Sequence, residues 1–110
     1  MSEIKFSACI EMIFNDLPIL DRIDAVAKAG LPAFEFWGWR NKDLPAVVER
    51  AAQNSLRIAG FTADCGKDLC DPEMHRDWVK GAADGIDQAV GAGASALIIT
   101  TGNEMDSIPR

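Results

Sequence analysis

The stretch Ala29-Gly30-Leu31-Pro32-Ala33-Phe34-Glu35-Phe36-Trp37 joins two kinds of periodicity. Upstream of it, Leu20, Ile23, Val26 and Ala27 recur at helical spacing, and Gly30 sits where a helix-ending residue of positive φ belongs. Downstream, Ala33 to Trp37 reads as a short strand. The same junction recurs at Ala92-Gly93-Ala94-Ser95-Ala96, which leads into the Leu-Ile-Ile run of residues 96–101. A helix end, a tight turn and a strand, met twice, are the repeating joint of a β-α alternation.

Working outward, Ile4, Phe6, Ala8 and Ile10 alternate with Lys5, Ser7, Cys9 and Glu11, the period of a first strand. Asp16 and Pro18 are placed to cap and start a first helix. Asp43 and Pro45 do the same for a second, with Val48, Ala51 and Ala52 on its buried side and Asn54 or Ser55 at its end. Arg57 to Thr62 is a third strand. Asp71-Pro72 opens a third helix with Trp78, Ala82, Ile86 and Val90 on one stripe, weakened by Gly81 and Gly85. Residues 96–101 form a fourth strand, expected to be buried on both faces.

The order β-α-β-α-β-α-β predicts an α/β fold with a parallel sheet. An open doubly wound sheet and a (β/α)8 barrel both satisfy it. The barrel is the better reading. No Gly-rich phosphate loop follows strand one, and a barrel accounts for Ser7, Cys9, Glu11 and Glu35 as lumen residues, with Phe6, Ile10, Phe34 and Phe36 packed on the helices. A complete barrel needs about 250 residues. The 110 residues here predict a partial (β/α)8 TIM barrel: about four parallel strands, three helices, and two strand edges that either continue elsewhere or pair with a second copy.

Composition narrows the class. Hydrophobic content of 48% and charged content of 25% are ordinary for a globular domain. No apolar run approaches a membrane span, no signal-like N-terminus is present, and three cysteines fit free thiols, so a cytoplasmic location is expected. A net charge of −6 with scattered basic residues argues against a nucleic-acid surface.

In a barrel, chemistry sits where strands run into βα loops. Those places hold Glu11, Trp37, Trp39, Arg40, Asp64, Lys67, His75, Thr100, Thr101, Asn103 and Glu104, a polar rim suited to a small hydroxylated ligand. Glu11 and Glu35 either bind substrate or pair with a barrel cation such as Lys5 or Arg57. Trp37 and Trp39 either line a sugar's carbon face or pack under a loop. Thr100 to Asn103 either contact a ligand or form an ordinary turn. Cys65, Cys70 and His75 have the spacing C-x4-C-x4-H, which is no standard zinc pattern, and His75 is expected at the surface.

Three stretches carry a resemblance. Residues 7–18 resemble the opening strand and Leu-Pro helix start, residues 29–37 the AG-x-x-A-x-E-F-W approach to strand two, and residues 96–103 the end of strand four, of the xylose-isomerase-like barrel superfamily. Within it the likeness is to the hydroxypyruvate isomerase group, with residues 1–110 as the N-terminal half of the barrel.

The resemblance implies aldose–ketose isomerisation of a small hydroxy-carbonyl substrate, hydroxypyruvate to tartronate semialdehyde, through an enediolate. It implies a divalent metal, Mg or Mn, in the complete barrel. The family's metal ligands and catalytic glutamates lie on later strands, so no catalytic or metal residue is assigned here, and an isolated chain of this kind is expected to be inactive. What remains is a substrate wall of Trp37, Glu35 and Asn103. Related readings are a sugar epimerase, a 2-oxo-tetronate isomerase, a non-catalytic half-barrel that forms a homo-oligomer, or an endonuclease-IV-like phosphodiesterase, which the acidic charge disfavours.

Overall fold

A computed structural model describes residues 3–66 and 68–109. Its elements run β1 (Ser7–Cys9), α1 (Ile19–Lys28), β2 (Ala33–Glu35), α2 (Leu44–Gln53), β3 (Arg57–Thr62), a 3-10 turn (Pro72–Met74), α3 (His75–Ala92) and β4 (Ala96–Ile98). The four strands form one sheet in the order β1-β2-β3-β4, each parallel to its neighbour. Consecutive parallel strands in sequence order, with all three helices on one face, make a partial (β/α)8 barrel and not a doubly wound sheet.

The helices bury one apolar face against one face of the sheet. Ile23 and Val26 of α1, Leu44, Val47 and Ala51 of α2, and Ala89 of α3 meet Ala8, Ile10, Phe34, Phe36, Ile58 and Phe61. The Phe36 and Phe61 rings stack with centroids 4.9 Å apart, and Phe34 and Phe36 lie 6.2 Å apart. Between β2 and β3 the register moves from Phe34↔Ile58 to Glu35↔Gly60, so Ala59 is an extra residue on β3. Gly60 lies so close to β4 that a Cβ there would sit 2.9 Å from the Ala96 carbonyl oxygen.

Several local expectations change. Asp16 does not cap α1. The N-cap is Pro18, with no side-chain cap, and Arg22 gathers the loop instead, donating to the carbonyls of Leu17 (2.8 Å), Ile10 (2.9 Å) and Asn15 (3.5 Å). Asp43 caps α2 as expected, accepting from the Ala46 N–H at 3.2 Å. Ala52 on α2 is exposed.

Ile4 and Phe6 precede β1 and stand in solvent, Phe6 at 68% exposure, because the packed part of the strand begins only at Ala8. Strand β4 is a sheet edge, and Ile98 and Ile99 are about half exposed instead of buried on both faces. Strands β1, β2 and β4 are shorter than their apolar runs suggest, although single ladder-like bonds continue past them, as from Ile10 N–H to Glu35 O (3.0 Å) and Ala63 N–H to Ile98 O (2.8 Å).

The largest correction concerns α3. Its buried face is Gly81, Ala82, Gly85 and Ala89, while Trp78 is half-buried and Ile86 and Val90 are exposed. A Cβ on Gly81 would lie 2.5 Å from the Cys65 carbonyl oxygen, and one on Gly85 2.7 Å from that of Ala63. The two glycines that weaken the helix in isolation are what lets it approach the β3 end. The helix closes on Gly93, left-handed at φ 69°.

Candidate active site at the strand ends

The C-terminal ends of β1, β2 and β3 converge with their loops. Glu11, two residues past β1, forms an ion pair with Lys42 of the β2–α2 loop, the side chains only 17% and 6% exposed. Lys42 Nζ also donates to the Gly38 carbonyl (2.8 Å) and to Asn41 Oδ1 (3.2 Å), and it lies 5.4 Å from the centre of the Phe36 ring. Glu11 in turn accepts from the Trp37 backbone N–H at 3.4 Å. The partner of Glu11 is therefore Lys42, not Lys5 or Arg57. Arg57 instead donates to Ser95 Oγ at 3.0 Å. An ammonium with three acceptors and a carboxylate with two donors satisfy each other, so the pair fixes the first two loops against one another.

Glu35 is half-buried on β2 in register with Cys9, and its carboxylate accepts from the Ser7 hydroxyl at 3.2 Å. Ser7, Cys9 and Glu35 thus share the face turned away from the helices. Trp37 follows at the rim with 55% of its surface exposed. Trp39 behaves differently. It is half-buried, its indole N–H donates to the Ala63 carbonyl at 2.8 Å, and the Arg40 guanidinium stacks 4.4 Å over its ring. Trp39 therefore packs under a loop and leaves Trp37 as the exposed aromatic.

The second and third loops are tied through Arg40 and Asp64. Arg40 Nε donates to the Asp64 carbonyl (2.9 Å), its N–H to Asp64 Oδ2 (3.4 Å), and its guanidinium reaches Asp84 on α3 at 3.6 Å. Asp64 is left-handed at φ 55°, and its carboxylate packs on Gly38, where a Cβ would lie 2.7 Å from Oδ2.

Asn103 belongs to the other side of the sheet. It follows β4, and its N–H donates to Asp68 Oδ1 at 3.1 Å while its carbonyl accepts from the Cys70 thiol at 3.1 Å. No hydrogen bond joins it to Glu35 or Trp37 among the described residues. A cleft of about 390 Å³ opens here, lined in part by Cys70, Thr101, Asn103 and Met105. His75 is exposed and bonded to the Leu69 carbonyl at 2.7 Å. Among the described residues no three His, Cys, Asp or Glu side chains are grouped to hold a metal ion, so the divalent metal implied by the resemblance finds no fitting ligand set in them. Lys67, a candidate rim residue, lies outside the described residues. Lys42, Asp68 and Arg22 were not read as site residues from the sequence. The local signal that could have found Lys42 is its charge close after the strand-two motif.

Burial pushes the Cys65 thiol up from its ordinary pKa. Nearby Arg40 opposes that and Asp64 adds to it. At mildly alkaline pH Cys65 is expected to react with iodoacetamide more slowly than free glutathione, with the difference vanishing in urea. Peptide mapping of the alkylated chain checks this, and equal rates in the folded protein would contradict it.

No protein-family model matches the chain. A 2-oxo-tetronate isomerase of Haemophilus influenzae is 34% identical to it over 65 residues, covering 56% of the chain and 24% of that protein. One of Pectobacterium atrosepticum is 34% identical over 62 residues, with the same coverage. These matched segments thus span about a quarter of the length of the curated relatives. Among solved structures, an AP endonuclease, family 2, from Brucella melitensis superposes with a TM-score of 0.78 over 84% of the chain and 39% of that protein, at 19% identity.

Proposed function

We propose that these residues are the N-terminal half of a sugar-acid isomerase of the xylose-isomerase-like barrels, acting on a small 2-oxo hydroxy acid. The observation that carries the reading is the similarity to two proteins named 2-oxo-tetronate isomerase, on a chain folded as a partial barrel. Their names favour 2-oxo-tetronate over hydroxypyruvate as the first substrate to try, and the two compounds share the carbonyl-next-to-hydroxyl unit that enediolate chemistry requires. The likeness to the AP endonuclease bears on the fold alone. A net charge of −6 also disfavours a nucleic-acid substrate.

In this reading the chain supplies a wall of the site. The exposed Trp37 ring lies along the substrate's carbon chain, Glu35 accepts from a substrate hydroxyl beside Ser7, and Asn103 contacts it from the β4 side. The proton-transferring carboxylates and the Mg or Mn ion come from outside these residues. No helix among the described residues is long and apolar enough to cross a membrane, and a cytoplasmic enzyme is the corresponding proposal.

Titrating the chain with 2-oxo-tetronate and with hydroxypyruvate tests this. Tryptophan fluorescence should change on binding, and the change should be lost in Trp37→Phe, which keeps Trp39 and Trp78. Proton NMR in D2O with Mg should show no turnover by the chain alone. An unchanged fluorescence response in Trp37→Phe would remove Trp37 from the wall. Turnover by the chain alone would place catalytic groups inside it.

A further inference from the structure

Asp64 is a strand-end residue to which the proposed function gives no role. It lies two residues past β3 and follows Ala63, which is buried. Two observations set it beside Trp37. The Thr62 N–H donates to the Trp37 carbonyl at 3.3 Å, so the ends of β2 and β3 run on together. Gly38, the residue after Trp37, leaves the space that the Asp64 carboxylate occupies, since a Cβ there would lie 2.7 Å from Oδ2. Oδ2 accepts from the Arg40 N–H at 3.4 Å, and Oδ1 accepts no hydrogen bond among the described residues.

The loop does not depend on this carboxylate for its shape. A 3.4 Å separation is long for an N–H···O bond. Two shorter bonds hold the same loop through its backbone: Arg40 Nε donates to the Asp64 carbonyl at 2.9 Å, and the Trp39 indole to the Ala63 carbonyl at 2.8 Å. Asp64 is moreover left-handed at φ 55°, a conformation that glycine adopts at no steric cost. The side chain is thus carried at a position where the fold alone would be served as well by a glycine.

We infer that Asp64 selects a substrate with two hydroxyls over one with a single hydroxyl, by accepting from the hydroxyl farther from the substrate's carboxylate. This rests on the proposed function. 2-Oxo-tetronate bears hydroxyls on C3 and C4, and hydroxypyruvate on C3 alone. With the carbon chain along the exposed Trp37 ring, Oδ1 of the neighbouring Asp64 takes the C4 hydroxyl. Like-charge repulsion sends the substrate's carboxylate to the opposite end, so one side chain sets both preference and direction. A site built to hydrogen-bond a hydroxyl discriminates against the analogue that lacks it.

Isothermal titration calorimetry of the chain with each compound reads the selection. The parent should favour 2-oxo-tetronate. Asp64→Asn and Asp64→Gly should each weaken 2-oxo-tetronate at least about tenfold and hydroxypyruvate less than about twofold, so that the preference disappears. The melting temperature should be held in Asp64→Asn and held or raised in Asp64→Gly. A parent that binds both compounds, with both variants unchanged, would remove Asp64 and leave the proposed function standing. Equal weakening of both compounds would make the carboxylate a clasp of the loop and overturn its role in selection. A parent that binds neither compound would remove the proposed function and this inference with it.

Discussion

Lys42→Ala is expected to lower the unfolding free energy of the chain by about 1–3 kcal/mol, the range for leaving a covered polar partner unsatisfied. The magnitude follows from what is left behind. Lys42 and Glu11 are both largely withdrawn from water, so the variant strands a carboxylate whose remaining donor is the Trp37 N–H at 3.4 Å. The Gly38 carbonyl also loses its ammonium donor. Urea unfolding followed by tryptophan fluorescence measures the loss. Replacing both partners, Lys42→Met with Glu11→Gln, should cost less than Lys42→Ala alone, because no unpaired charge remains. A loss below about 1 kcal/mol for Lys42→Ala would mean that the pair behaves as a surface salt bridge. The locking of the first two loops would then need another cause.

Gly85→Ala should destabilise the chain by about 1–3 kcal/mol, the cost typical of forcing extra atoms into a packed site. Helix propensity predicts the opposite sign, a gain of up to ~1 kcal/mol for alanine over glycine. Packing wins because the added Cβ would lie 2.7 Å from the Ala63 carbonyl oxygen and 2.8 Å from its Cα, atoms of a backbone that cannot rotate away. Gly91→Ala is the internal control. It lies on the same helix with nothing within 4 Å of an added Cβ, so there propensity should act alone and the variant should be neutral or slightly more stable. Thermal unfolding of the two variants, compared with the parent, separates the effects. Stabilisation by both would show that α3 does not sit against β3 as described.

These two positions also show how far the sequence could be read. The β-α alternation, the parallel sheet and the bounds of β3 follow from local periodicity, and Asp43 follows from helix-start chemistry. Each of these signals is contained within a few neighbouring residues. Gly85 reads from the sequence only as a weak point in the helix, because its value lies in a contact with another element, and a pattern that weighs residues by apolar size assigns α3's inner face to Ile86 and Val90. The packed face is instead lined by the smallest residues, since the helix runs close to the strand end.

The site divides in the same way. The placement of Glu11, Glu35 and Trp37 at or just beyond strand ends, where a barrel holds its chemistry, is legible from strand periodicity. That of Lys42 is not, because its role depends on how one loop folds back over another. The substrate wall implied by the resemblance joins Asn103 to Glu35 and Trp37, but Asn103 follows the far edge strand and is held by Asp68 and Cys70. The fate of Phe6, Ile98 and Ile99 has a common physical reason. Strand alternation says which residues share a face, but only the neighbouring elements decide whether that face is covered.

The sheet order has a consequence for how the chain comes into being. Each of β2, β3 and β4 is hydrogen-bonded to the strand made just before it, and every crossover carries one α-helix. A chain emerging from the ribosome can therefore lay down its sheet from β1 to β4 in the order of synthesis. Each new β-α unit docks onto a finished edge, and within these four strands none has to wait for a neighbour made out of order.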